Sequence, residues 1–225
     1  MTDQDSTSRD EGVALATELR SIAEALIVTE LAPEDLAEAH RLAIAMRERL
    51  AGPRRRRWYD ADDPSHGFSP AARRAYLAHS PIRGRLNSTA PPFLLEPGTR
   101  EDGSPCLVGQ VQMGRRYEGP PHGVHGGWVA ALFDEALGAA QGLVDSRGMT
   151  ALLKVRYRQV TPLERPLRFE AWVHEQRGRR TVTRASCHAG DRLTADAEGI
   201  FIRVDFDAVE QRMSGPASDD DDAGV

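Results

Sequence analysis

Apolar positions recur with a helical period near the start of the chain. Leu15, Leu19, Ile22 and Leu26 are separated by four, three and four residues, which places them on one face of a helix. Pro33 opens a second stretch of the same kind, at an early helical position where its missing N–H costs nothing. Leu36, Ala39, Ala43, Met46 and Leu50 continue it, and Gly52-Pro53 ends it. The pattern predicts a helical hairpin over residues 12–52, whose stripes are covered by the rest of the protomer or its partner. Residues 1–11 are polar and acidic and are expected to be disordered. Residues 53–92 read as an irregular linker packing on the core, rich in turn formers such as Ser80-Pro81 and Ala90-Pro91-Pro92.

From Phe93 the period changes to that of strands. Residues 93–96 and 106–117 read as the first two, the second with Leu107, Gly109, Val111 and Met113 on one face. After the loop Gly119-Pro120-Pro121-His122-Gly123, residues 124–143 are apolar nearly all round, the mark of a buried helix. Alternation resumes at Leu153, Val155 and Tyr157, and again at Leu167, Phe169, Ala171 and Val173. Residues 181–188 and 193–204 form a closing hairpin around Ala189-Gly190-Asp191. Strands joined as consecutive hairpins around one long apolar helix predict an α+β class, with a curved antiparallel sheet wrapped on that helix. This core is placed at residues 93–208, and residues 209–225, with Asp219 to Asp222, as a disordered acidic tail.

Composition narrows the function. Among 225 residues the net charge is -5, and the sequence pI is near 5.8, which argues against nucleic acid as a partner. The run Arg54-Arg55-Arg56-Arg57 is read as solvated and neutralised by Asp60, Asp62 and Asp63. No apolar run approaches the ~18 residues of a membrane span, and the polar start does not resemble a secretory signal. The expected setting is cytoplasmic, without a membrane partner. Two cysteines, Cys106 and Cys187, are too few for a disulfide framework or a four-cysteine zinc site.

Two features of the apolar helix carry chemistry. Gly126-Gly127 at its start lowers helix propensity but lets a ligand approach backbone N–H groups at the positive end of the dipole. A carbonyl that gains negative charge in a transition state is stabilised there. Asp134 is a carboxylate inside an apolar helix, where it needs a partner or a role such as general base. Eight residues separate it from Gly126, about 12 Å along a helix axis, too far for both to serve one carbonyl. If both act together, Asp134 comes from a second subunit, so the motif implies a homodimer at least, with a tetramer as the larger alternative. His125 has no second ligand at metal spacing, and no metal is expected. Lys154, Arg156 and Arg158 share a strand face and are candidates for binding phosphate.

The segment Tyr117-Glu118-Gly119-Pro120-Pro121-His122-Gly123-Val124-His125-Gly126-Gly127, followed by Ala131-Leu132-Phe133-Asp134-Glu135-Ala136-Leu137-Gly138, resembles the signature of hotdog-fold acyl-CoA thioesterases of the PaaI type. Thr150 to Tyr157, with Thr161-Pro162-Leu163, is similar to the strand that follows in that family. The resemblance covers about residues 80–205. It implies a hotdog fold, hydrolysis of an acyl-CoA thioester, and no cofactor beyond the coenzyme A of the substrate. The amide after the histidine would bind the thioester carbonyl, which falls on Gly126. The helix acid, as base or nucleophile, falls on Asp134, and the residue positioning water on Thr150. Gly127 and His122 are further candidates for binding the substrate. Many members carry an asparagine six residues before the histidine as a second donor. Here Gly119 stands in that place, leaving His122 or His125 to supply it. A dehydratase or hydratase on the same fold, with His125 and Asp134 as acid and base, and a non-catalytic acyl-CoA-binding regulator are the other readings.

Overall fold

The computed structural model describes residues 3–54 and 70–204. The acidic tail and Arg55 to Arg57 lie outside the described residues. Two helices come first, α1 (Asp3–Val28) and α2 (Pro33–Arg49), then α3 (Pro70–His79). The core follows as β1 (Leu94–Thr99), β2 (Pro105–Gln112), α4 (Gly126–Ala140), β3 (Met149–Tyr157), β4 (Pro166–Arg177), β5 (Arg180–Ala189) and β6 (Arg192–Ile202). The six strands form one sheet in the order β1-β2-β4-β5-β6-β3, with every neighbouring pair antiparallel. The sheet curls around α4 in the hotdog arrangement.

Local sequence accounts for the hairpins. The β4–β5 and β5–β6 connections are two-residue loops whose first residues, Gly178 and Gly190, have φ of 54° and 60°. Glycine reaches positive φ without steric cost, and such turns match the twist of the flanking strands. Alternate residues then point at α4. Phe169, Ala171, Ala185, Cys187, Ala195, Ala197 and Phe201 from the sheet pack with Val129, Leu132, Phe133, Ala136, Leu137 and Ala140 of the helix. Phe169 sits at the centre, edge-on to Phe93 at 5.3 Å and to Phe133 at 5.1 Å between ring centroids.

The N-terminal third departs from expectation. Helix α1 begins at Asp3, so residues assigned to a disordered start are helical. Their polarity signalled disorder, but no proline or other strong breaker interrupts them. Helix α3 lies inside the expected irregular linker. Its alanines and arginines favour helix and Pro70 suits a first turn, a signal masked by the turn formers on either side.

The face of α1 that meets the core is also rotated from the leucine stripe. Ala16 is buried, whereas Leu15, Ile22 and Leu26 are 36%, 49% and 61% exposed. Polar groups dock the helix instead. The Glu24 carboxylate accepts from the backbone N–H of Arg115 (2.6 Å) and Arg116 (3.3 Å), capping a short 3₁₀ turn, and Arg20 donates to the Asn87 carbonyl at 3.0 Å. Helix α2 buries none of its side chains. Within the protomer the two helices do not bury their stripes, so of the two covers expected for them the partner remains.

Phe169 joins the sheet to α4 and to Phe93. Truncation to Ala should cost about 3–5 kcal/mol. Urea unfolding checks this: a loss below about 1 kcal/mol would show that the ring cluster is not the centre of the core.

Candidate active site

The start of α4 is built by its own loop. The His125 N–H donates to the Tyr117 carbonyl at 2.8 Å, and the His125 carbonyl accepts from Trp128 (2.9 Å) and Val129 (3.2 Å). His125 is the N-cap residue, and its Nδ1 accepts the Gly127 N–H at 3.0 Å. An accepting Nδ1 in a neutral imidazole puts the proton on Nε2, so the exposed edge of this ring is a donor. The first N–H groups of a helix lack intrahelical partners. Here Gly127, Trp128 and Val129 are satisfied by His125, and the Gly126 N–H has no partner among the described residues. Gly127, named from sequence beside Gly126, thus spends its N–H inside the cap.

Tyr157 completes this end. Its hydroxyl donates to the Gly126 carbonyl at 2.8 Å, and a Cβ placed on Gly126 would stand 3.4 Å from the phenol. The ring fixes the first peptide of α4 from the β3 side. Only its alternation as an inward strand position was visible in the sequence. Gly119 underlies the histidine: a Cβ there would lie 2.6 Å from His125 Cα and 3.2 Å from Cδ2. With the backbone in this position, any side chain at residue 119 would collide with His125. His122 is exposed, with φ of 61°, and its N–H donates to the Glu118 carboxylate at 3.1 Å.

Asp134 lies two turns along α4. The Thr150 hydroxyl, from the start of β3, donates to its carboxylate at 2.9 Å, so the structure brings these two candidates together. Asp134 is half-buried and lines a cavity of about 550 Å³ with Thr150. The neighbouring Glu135 turns away and pairs with Arg83 at 2.5 Å, with both side chains largely buried. Sequence reading missed this ion pair because 80–87 showed only turn residues. Its signal was an acid in an apolar helix and an arginine in a glycine turn. Eight residues of helix, about 12 Å, separate Gly126 from Asp134 within one protomer.

Lys154, Arg156 and Arg158 are not brought to either group. Leu153 and Val155 pack toward the helix, so Lys154 and Arg156 stand on the opposite face of the sheet. Arg156 and Arg158 both pair with Asp196, at 3.5 and 2.5 Å, and Lys154 stands across from Glu198. Cys187 points into the core, where burial pushes its thiol up to about 11, which removes it as a nucleophile beside His188. Among the described residues no group of His, Cys, Asp and Glu could hold a metal. None of the described helices is long and apolar enough to cross a membrane.

This arrangement, an unfilled helix-start N–H, a carboxylate two turns on and a threonine against it, can be set beside known proteins. Residues 122–197 match the sequence profile of the thioesterase superfamily. Over this third of its length the chain is similar to that superfamily. The matched span contains His125, Gly126, Asp134 and Thr150. The acyl-coenzyme A thioesterase THEM4 of Xenopus laevis is 32% identical over 102 residues, 44% of this chain and 45% of that protein. The chain thus spans about half the length of this curated relative. A crystal structure of another thioesterase superfamily protein aligns with 28% identity and a TM-score of 0.67, covering 85% of this chain and 94% of that one. The match begins at His122, so α1 to α3, β1 and β2 lie outside the matched span, although β1 and β2 belong to the same sheet.

Gly119→Ala should push His125 off its cap and cost about 1–3 kcal/mol. Imidazole ¹⁵N shifts of His125, read with thermal unfolding, check both effects. An unchanged Nδ1 signal would mean that the ring does not need this glycine.

Proposed function

We propose that this protein is an acyl-CoA thioesterase whose site is shared between two protomers. The thioester carbonyl oxygen is held by the Gly126 N–H of one subunit, with the His125 Nε2–H as second donor. Asp134 of the other subunit, oriented by Thr150, removes a proton from water. The water oxygen attacks the carbonyl carbon, and the C=O electron pair moves onto the oxygen, where the helix-start N–H and dipole stabilise it. Collapse re-forms the C=O bond and breaks the C–S bond. The coenzyme A thiolate leaves and regains a proton through Asp134, giving free acid and thiol. No cofactor enters the step. Direct attack by the Asp134 carboxylate is the competing route; single-turnover hydrolysis in H₂¹⁸O leaves ¹⁸O on Asp134 only in that case.

The observation that carries the reading is the Gly126 N–H at the start of α4, without a partner among the described residues, beside a histidine whose Nδ1 accepts within the cap and so turns Nε2–H outward. The dimer is supported by the 12 Å argument and by β3. This strand is the sheet edge and exposes Met149, Leu152 and Tyr157 at 49%, 51% and 55%. An unpaired edge with apolar side chains invites pairing with another chain. A tetramer would be built from such dimers, in a cytoplasmic setting.

Asp134→Asn keeps the shape and removes the base. Turnover on acyl-CoA, followed by thiol release, should fall about 10²–10⁴-fold while binding survives. Mixed dimers of Asp134→Asn with a variant blocked at Gly126 should regain activity, since one hybrid site holds both intact groups. Near wild-type turnover in Asp134→Asn, or no rescue in confirmed mixed dimers, would overturn the shared site.

A further inference from the structure

Helix α1 lies outside the span matched to the thioesterase profile, yet it is fastened to the turn that leads into the candidate site. One oxygen of the Glu24 carboxylate accepts the Arg115 N–H at 2.6 Å, and the other accepts the Arg116 N–H at 3.3 Å. Gly114 makes this approach possible. A Cβ there would stand 2.7 Å from each carboxylate oxygen and 2.8 Å from the carbon between them, its three nearest neighbours. The backbone of Gly114 is ordinary, with φ of -81°, so clearance and not conformation calls for glycine here. Arg116 ties the same turn to α1 again, through the Arg20 carbonyl at 3.5 Å and the Glu24 carboxylate at 4.0 Å. Hydrogen bonds to an ionised carboxylate are roughly twice as strong as neutral ones, so this polar joint holds without an apolar interface.

The turn held by Glu24 ends at Tyr117, and Tyr117 meets the residues on either side of Gly126. Its carbonyl accepts the His125 N–H at 2.8 Å. Its ring is buried and packs edge-on against Trp128, with 4.9 Å between centroids. The Arg116 guanidinium lies over the same ring at 4.5 Å and donates to its hydroxyl. His125 supplies the carbonyl half of the peptide that carries the Gly126 N–H, so a displaced Tyr117 takes that N–H with it. We infer that Glu24 is a positioning residue for the reaction: from α1 it sets the turn at 115–117 and, through Tyr117 and His125, the aim of the Gly126 N–H. The inference rests on the thioesterase reading above. That N–H acts on charge that develops in the transition state, so misaiming it lowers turnover more than it weakens binding of the ground state. Helix α1 then contributes to turnover from outside the matched span.

The test uses the full-length chain and reads kcat and KM on the best substrate of an acyl-CoA series, together with the Gly126 amide ¹H–¹⁵N signal. The variants are Glu24→Ala, Glu24→Gln, Gly114→Ala and the double variant of Glu24→Ala with Gly114→Ala. Glu24→Ala should lower kcat about tenfold or more with KM little changed, because a misplacement of about 1 Å costs up to 10²-fold. It should also move the Gly126 signal. Glu24→Gln keeps one acceptor oxygen and should fall between wild type and Glu24→Ala; it decides the matter if the alanine variant does not fold. Gly114→Ala should reproduce the loss in the otherwise wild-type chain. In the Glu24→Ala chain it should add nothing, since the atoms its methyl group would strike are gone. A wild type that hydrolyses no member of the series overturns the thioesterase reading and the inference with it. An active wild type whose Glu24 variants keep both kcat and the Gly126 signal overturns the inference alone. So does a kcat loss that light scattering traces to dissociation of the assembly, or a Gly114→Ala penalty undiminished in the Glu24→Ala chain.

Discussion

Burial of α4 within the curve of the sheet is the interaction on which the other features depend. The helix is apolar around most of its circumference, and residues from β2, β4, β5 and β6 close on it. A helix so enclosed cannot tilt or slide without opening cavities, so Gly126 and Asp134 are both fixed by packing. Its first N–H groups are held at one end of the sheet, and Asp134 is held two turns away. The fixed rise of the helix then dictates that a small reacting group cannot touch both. In the proposed shared site, two such helices exchange ends, so that one reacting group meets the helix start of one and the Asp134 of the other.

Polar groups at the helix start follow a similar economy. Four donors need partners there, and the loop satisfies three of them through one residue, His125. Its carbonyl takes two and its imidazole one. Tyr157 and Gly119 serve this cap, one by pinning the Gly126 carbonyl, the other by leaving room for the ring. The remaining donor is preorganised, since its peptide plane cannot turn without breaking the hydrogen bonds at the His125 carbonyl. Preorganised dipoles act on developing charge without reorganising at the moment of reaction.

The core was legible in the sequence because its elements obey single periods. Alternation at Leu167 to Val173 and an all-round apolar helix each have one folded solution, and the hairpin glycines fixed where the chain turns. Asp134 and Gly126 stood out because each contradicts the local pattern, a charge in apolar helix and two glycines at its start. Other features lacked such contrast. Tyr157 looked like one more inward strand residue, and its hydrogen bond depends on how β3 approaches α4. Arg83 and Glu135 are 52 positions apart and reveal nothing of each other until folded. The leucine stripe of α1 misled for a physical reason. Periodicity finds the most apolar face, but Glu24 and Arg20 dock through hydrogen bonds to backbone, which hydropathy does not register. Lys154, Arg156 and Arg158 do share a face, as alternation requires, yet which face meets the helix was decided by Leu153 and Val155.

The two ends of the sheet are finished differently. β1 carries Pro97 and Gly98, which spoil a strand as a template, while β3 carries neither. Helix α2 presents a third kind of surface, a helix none of whose side chains is fully buried. Its support is local: Pro33 at the first turn, Glu34 and Asp35 near the positive end, Arg47 and Arg49 near the negative end. Seventeen residues is close to the length at which a free helix is marginal in water. Its amide protons would therefore exchange with solvent through brief local fraying, decoupled from the slow, global opening that governs the strands around α4. Opening of α2 would thus be local, whereas opening of the strands would require the whole core around α4 to come apart.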